Sequence, residues 1–222
     1  GALFIEGAER IVATAGETAR AVRAAQDGVG QTLRIGMTQT AAYQVVASAL
    51  SAFRDRHRRA AVRLFESKTA ELERRLEQNA LDVAFLHPPL HAPGLTEKTL
   101  AQTPMTRVDF ADPRATARPT VAYPRSEAPV LMGVLARSED DETGDFPAAE
   151  ADTMLCAMVL SRAGYGRCVL PGDYAYSAVR PAAMEDAVQT EFLLETAIAR
   201  RSLDRRPIIR DLVDCAVAAG AR

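Results

Sequence analysis

Three short runs put hydroxyl, amide and imidazole groups where an apolar segment gives way to another element. Thr38-Gln39-Thr40 follows Leu33-Arg34-Ile35-Gly36-Met37, and Ser67-Lys68-Thr69 follows Val62-Arg63-Leu64-Phe65-Glu66. His87-Pro88-Pro89 follows Leu81-Asp82-Val83-Ala84-Phe85-Leu86. The first two runs each open a helix. A helix N-terminus presents amides with no intrahelical acceptor and the positive end of the helix dipole. Two such ends dressed with hydroxyls make a natural anion site. In open α/β sheets, ligands bind beyond the carboxyl ends of the strands. The same threonines also serve as helix caps when no ligand is bound, with Thr69 expected at an N-cap.

Covalent chemistry has no such support. The sequence holds no G-x-S-x-G elbow, no P-loop, no G-x-G-x-x-G opening a helix and no H-E-x-x-H. No catalytic residue, metal site or cofactor is therefore expected. His87 and His91 are four apart, but Pro88 and Pro89 keep them off a common helical face. Cys156, Cys168 and Cys215 have no paired spacing and read as core filling. His57 sits in Arg54-Asp55-Arg56-His57-Arg58-Arg59, a basic helix end that complements the helix C-terminus or touches a phosphate. The acidic run Ser138 to Asp145 lacks EF-hand spacing and reads as a solvated turn.

A chain of 222 residues with a formal net charge of -2 cannot coat nucleic acid by charge alone. No apolar run approaches the roughly 20 residues of a membrane span. Glu6, Glu9 and Arg10 interrupt the apolar start before a signal sequence could form. A cytoplasmic setting with no membrane contact is the resulting expectation.

Alternating elements must position the three polar runs. Phe4, Ala8, Ile11, Ala15, Thr18, Val22 and Ala25 follow a 4-3 spacing, the seam of a coiled coil, and Asp27-Gly28-Val29-Gly30 ends that helix. The seam predicts packing on a partner helix. Strands at 33–37, 62–66 and 81–86 are separated by helices at about 40–56 and from Thr69 to Asn79. Ala42, Val45, Val46, Ala49, Leu50 and Phe53 form the first helix's core face, and Asn79 suits a left-handed end for the second. Strands joined this way imply a parallel sheet with right-handed crossovers. Further strands are predicted at 107–110, 119–123, 168–171 and 192–199. Further helices are predicted at about 127–138, 153–163 and 207–219, the second with Met154, Leu155, Met158 and Val159 facing in.

In series, these residues resemble the effector-binding domain of LysR-type transcriptional regulators. The resemblance rests on Thr32 to Tyr43, Phe53-Arg54-Asp55-Arg56-His57, Leu81 to Leu90, and Ala163-Gly164-Tyr165-Gly166 with Leu170-Pro171. It implies two periplasmic-binding-protein-like (type 2) α/β subdomains with mostly parallel sheets, joined by two crossover strands and preceded by a long dimerising helix. The implied division is a linker helix over 1–29, subdomain I over 30–104 and 178–222, and subdomain II over 105–177. It also implies a small-molecule effector in the inter-subdomain cleft and a homodimer or tetramer. DNA would be contacted only through a winged helix-turn-helix that this sequence lacks. The passage from Asp109 to Pro119 is shorter than the family's usual stretch.

Under the same resemblance, Thr38, Gln39, Thr40, Thr69, His87 and Pro88 line the cleft from subdomain I. Tyr123, Pro124 and Thr153 line it from subdomain II. Thr40 and Thr69 match places where hydroxyls hold an effector carboxylate. His87 stands where members responding to aromatic carboxylates often have Arg. The implied function is a non-enzymatic sensor of a small organic anion, such as an aromatic carboxylate, whose binding closes the subdomains. A stand-alone solute-binding protein of the same fold is the alternative, and an enzyme on this scaffold a more distant one.

Overall fold

The computed structural model describes residues 2–27, 32–111, 120–123, 149–172, 174 and 188–221. The chain divides into two compact units, Gly1–Ala101 with Glu195–Arg222, and Gln102–Leu194.

In the first unit, β1 (Thr32–Met37) pairs in parallel with β2 (Ala61–Glu66) on one side and β3 (Val83–Leu86) on the other. β6 (Val188–Arg201) runs antiparallel to β3, Phe85 opposite Ile198, so the sheet is mixed. Successive β3 side chains enter different cores. Val83 and Phe85 join Leu33, Ile35 and Ile198 under two helices, α2 (residues 39–56) and α5 (Pro207–Gly220). Ala84 and Leu86 join Leu72 and Leu76 of α3 (Thr69–Glu77) on the opposite face. Burial on both faces explains why β3 reads as an unbroken apolar run. Gly36 lets α3 close on the sheet: a Cβ there would stand 2.6 Å from Leu72 Cδ2 and from Leu81 Cδ1.

α2 is three consecutive segments: Gln39–Ala41, a π-helical Ala42–Val46, and Ala47–Arg56. The wider turn shifts the expected stripe. Ala41, Val45, Val46, Ala49 and Phe53 are buried, while Ala42 and Leu50 are only half-buried. Thr38 is the N-cap, its hydroxyl accepting from Ala41 N at 3.2 Å. For α3 the N-cap is Lys68, so Thr69 is the first helical residue rather than the cap expected. Asn79 takes the left-handed conformation after α3 (φ 57°), as its position predicts. His57 stacks on Phe53 and pairs with Asp211 Oδ2 at 2.9 Å, which gives the basic helix end a structural role.

α1 (Ala2–Asp27) is part of the first unit and makes polar contacts with the rest of it. Glu17 Oε1 accepts from Arg34 Nη2 at 3.0 Å, and Glu9 accepts from Gln78 at 3.2 Å. Ile11, Ala15 and Thr18, the described middle of the expected seam, are exposed. Near that contact, Asp82 is 1% exposed and fully bonded. Arg34 donates to it from N, Nε and Nη2 at 2.8, 3.0 and 2.9 Å, and Arg206 Nη2 donates at 2.7 Å. Burial pushes the Asp82 carboxyl up, but these bonds outweigh burial and hold it at about 2.

β4 (Leu95–Val108) begins in the first unit, and its second-unit part pairs antiparallel with β5 (Cys168–Pro171), Thr106 opposite Leu170. β4 begins twelve residues before the expected Arg107, because Glu97, Lys98 and the exposed half of the strand break any apolar run. α4 (Met154–Arg162) buries Met154, Ala157, Met158 and Ser161. Leu155 and Val159, expected inside, are 57% and 58% exposed. The small Ser161 faces the core instead, where its Oγ accepts from Phe110 N at 3.1 Å. Cys168 and Cys215 fill core space, whereas Cys156 is exposed, contrary to expectation. The stretch expected as a strand at 119–123 makes only single bridges, Thr120 to Arg167 and Ala122 to Glu150. The helix expected at 127–138 and the acidic run at 138–145 lie outside the described residues.

Candidate anion site

β1 and β3 are adjacent and parallel, yet the chain leaves β1 for β2 on one side and returns to β3 on the other. Their carboxyl ends thus form a topological switch point, where open α/β sheets bind ligands. Thr38 and His87 are the first residues beyond these two ends. Thr38 N donates to Phe85 O at 3.0 Å, which ties the ends together.

The His87 ring is engaged through both nitrogens. Nδ1 lies 2.8 Å from Glu195 O. A carbonyl can only accept, so Nδ1 carries the proton and Nε2 presents a lone pair. Burial pushes the imidazole pKa below 6.5, and the bond to Glu195 O offsets this only in part. The ring is therefore neutral at pH 7. Nε2 lies within hydrogen-bond distance of the hydroxyls of Thr38, at 3.0 Å, and Thr40, one of which donates to its lone pair. Thr38 and Thr40 are themselves 3.3 Å apart. Thr69 Oγ1 accepts from His87 N at 3.3 Å, which draws the start of α3 to the same point.

Four residues expected from the sequence, Thr38, Thr40, Thr69 and His87, are thus brought together. Gln39 is half-buried in the first turn of α2, and Pro88 is half-buried after His87. Tyr123 and Thr153 belong to the second unit and are engaged there. Tyr123 OH donates to Val169 O at 3.4 Å, and burial pushes its phenol pKa well above 10. Thr153 caps α4, accepting from Cys156 N at 3.2 Å. Pro124 lies outside the described residues.

Two members of the cluster were not foreseen. Thr196 is fully buried on β6 and its hydroxyl donates to Gln44 Oε1, while Thr196 Oγ1 lies 3.4 Å from His87 Nδ1. Thr196 sits in an apolar strand pattern, and Gln44 falls on the wet side of an ordinary helix. Only the π-helical turn, which leaves no sequence signature, redirects it. No cluster of three or more metal-ligating side chains occurs among the described residues.

Residues 26–129 match the model of the LysR substrate binding domain. Over this stretch the chain is similar to the LysR substrate binding domain family. The cluster from Thr38 to His87 lies inside it. Solved structures of LysR-type proteins share the fold over nearly the whole chain. CbnR, a LysR family transcriptional regulator, superposes with a TM-score of 0.72 at 21% identity, covering 99% of this chain and 80% of that one. The effector binding domain of BenM with its effector benzoate gives 0.67 at 17% identity, covering 87% and 93%. The reduced OxyR regulatory domain from Pseudomonas aeruginosa gives 0.65 at 18% identity, covering 86% and 97%. No curated protein is significantly similar to the chain. The family match over residues 26–129 agrees with the resemblance carried by the sequence motifs, and the fold is the type 2 periplasmic-binding-protein-like one expected.

Proposed function

We propose that this chain is the effector-sensing and oligomerisation domain of a LysR-type transcriptional regulator, and that its effector is a small organic carboxylate. The observation that carries the reading is the convergence of Thr38, Thr40, Thr69 and His87 at the switch point between β1 and β3. The Thr40 hydroxyl lies in the first turn of α2 and Thr69 opens α3, so each sits beside helix-terminal amides. A neutral His87 supplies no fixed charge, so these hydroxyls and amides hold the anion. The benzoate bound to the similar BenM domain is a ligand of this chemical class. Binding shifts the regulator to the extent that the effector prefers one arrangement of the assembly. Target DNA is contacted through a different domain, and the setting is cytoplasmic. Among the described residues no helix is long and apolar enough to cross a membrane.

The test is calorimetric titration with benzoate and its neutral analogue benzamide. A hydrogen bond to a charged group contributes about 1.5–3 kcal/mol, or roughly tenfold or more in affinity. Thr40→Ala and Thr69→Ala should each weaken benzoate by that factor and leave benzamide nearly unchanged, with Thr40→Ser restoring binding. Wild-type benzoate affinity in both alanine variants would place the anion elsewhere.

A further inference from the structure

Gln44 carries a donor that nothing among the described residues accepts. Its Oε1 takes the Thr196 hydroxyl, but its Nε2 is shut off from solvent with no hydrogen-bond partner. Buried polar atoms are normally paired, and an orphan one asks for a reason. The residue sits in the π-helical turn Ala42–Val46, a distortion that recurs at functional sites. From there a polar chain runs through Thr196 to the Nδ1 edge of His87. Thr38 and Thr40 occupy the other edge, at Nε2. The two edges differ in chemistry. On the Nε2 side, hydroxyls stand at a helix start, suited to a full negative charge. On the Nδ1 side stands a neutral carboxamide, deeper in the helix, where backbone amides are spent on the helix itself.

We propose that Gln44 is a ligand-contacting residue that sets specificity, its Nε2 donating to a second oxygen of the effector. The preferred effector is then a carboxylate that also bears a hydroxyl or carbonyl oxygen. This rests on the anion site described above. A plain carboxylate leaves the Gln44 donor unpaired, whereas an oxygen-substituted one completes it, and that difference is the source of the selectivity.

The experiment titrates benzoate and 2-, 3- and 4-hydroxybenzoate into the full chain, wild type, Gln44→Met and Thr40→Ala. Methionine keeps the length and volume of glutamine and removes both polar ends. Gln44→Glu is the second variant, since it keeps an acceptor for Thr196 but loses the donor. Circular dichroism and Tm report folding. At least one hydroxybenzoate should bind the wild type tenfold or more tightly than benzoate. Both Gln44 variants should erase that preference. If no hydroxy acid exceeds benzoate in the wild type, or if Gln44→Met keeps the preference, the role of Gln44 is overturned. The anion site then still stands on benzoate binding and its loss in Thr40→Ala. If none of the four acids binds, both readings fall together.

Discussion

His87 is held as a neutral ring with Nδ1 committed to Glu195 O and Nε2 to the threonine hydroxyls. Its pKa lies below 6.5 because burial penalises the imidazolium. A group whose folded pKa is depressed contributes stability above its unfolded pKa and loses it as pH falls. Between about pH 6.5 and the lower folded value, the unfolded chain binds the proton that the folded chain refuses. The Tm should therefore fall on acidification from pH 7.5 to 5.5, and His87→Gln should flatten that part of the curve. Equal slopes in differential scanning calorimetry would remove His87 from the pH dependence. The threonines and His87 were legible in the sequence because strand ends and helix starts are marked by the switch from apolar to polar residues. Thr196 and Gln44 were not, because their partner in each case is 152 residues away.

Among the elements, α1 shows how far a heptad pattern speaks before a partner is present. Its 4-3 spacing predicted the helix, and its described middle keeps Ile11 72% exposed with Val12 equally so. Ile5 is 60% exposed as well. Among the described side chains of α1, Glu9 and Glu17 are bonded across to the body. An isolated helix gains little by holding such residues in water, so pairing with α1 of a second copy is the expected outcome. Ile11→Glu with Val12→Glu should lower the mass seen in sedimentation velocity. Unchanged association would assign the oligomer to other surfaces. α4 teaches the complementary lesson. Its apolar spacing fitted two faces, and the choice fell to Ser161, whose hydroxyl serves Phe110 N, rather than to the bulkier Val159. Tertiary hydrogen bonding decided what hydrophobicity left open.

At the scale of the whole molecule, Asp82 gathers distant parts of the first unit. Arg34 from β1 and Arg206 beside α5 both reach it, and Arg34 also reaches Glu17 of α1. Breaking a buried pair leaves an uncompensated charge and costs roughly 3–5 kcal/mol. Asp82→Ala should lower unfolding free energy in urea by about that amount. In the wild type this contribution is present above pH 3.8 and is lost as the pH falls toward about 2, where Asp82 titrates. Loss of less than about 1 kcal/mol in the variant would show that the arginines find other partners. The strands β1, β3 and β5 were legible from the apolar residues they bury, and β2 from Val62, Leu64 and Phe65, although the first two stay exposed. The Asp82 network was not, since Arg34 and Arg206 lie 48 and 124 residues from it. The first half of β4 was hidden by its own exposed charges.

Gly36 has no polar group and touches no candidate ligand, yet the spacing between α3 and the sheet depends on its missing side chain. Leu72 and Leu81 fill the space a Cβ would need, and both are fully buried with little room to retreat. Alanine at this position pushes α3 outward from its first turn onward, and Thr69 is that turn's first residue. The damage would be read as deafness rather than collapse. A cell carrying Gly36→Ala should make the regulator in near-normal amounts and fail to respond to its inducer. In a genetic selection for non-responsive alleles, this silent position should surface beside Thr40 and Thr69. If Gly36→Ala responds as wild type does, the seat of α3 has more slack than its packing shows.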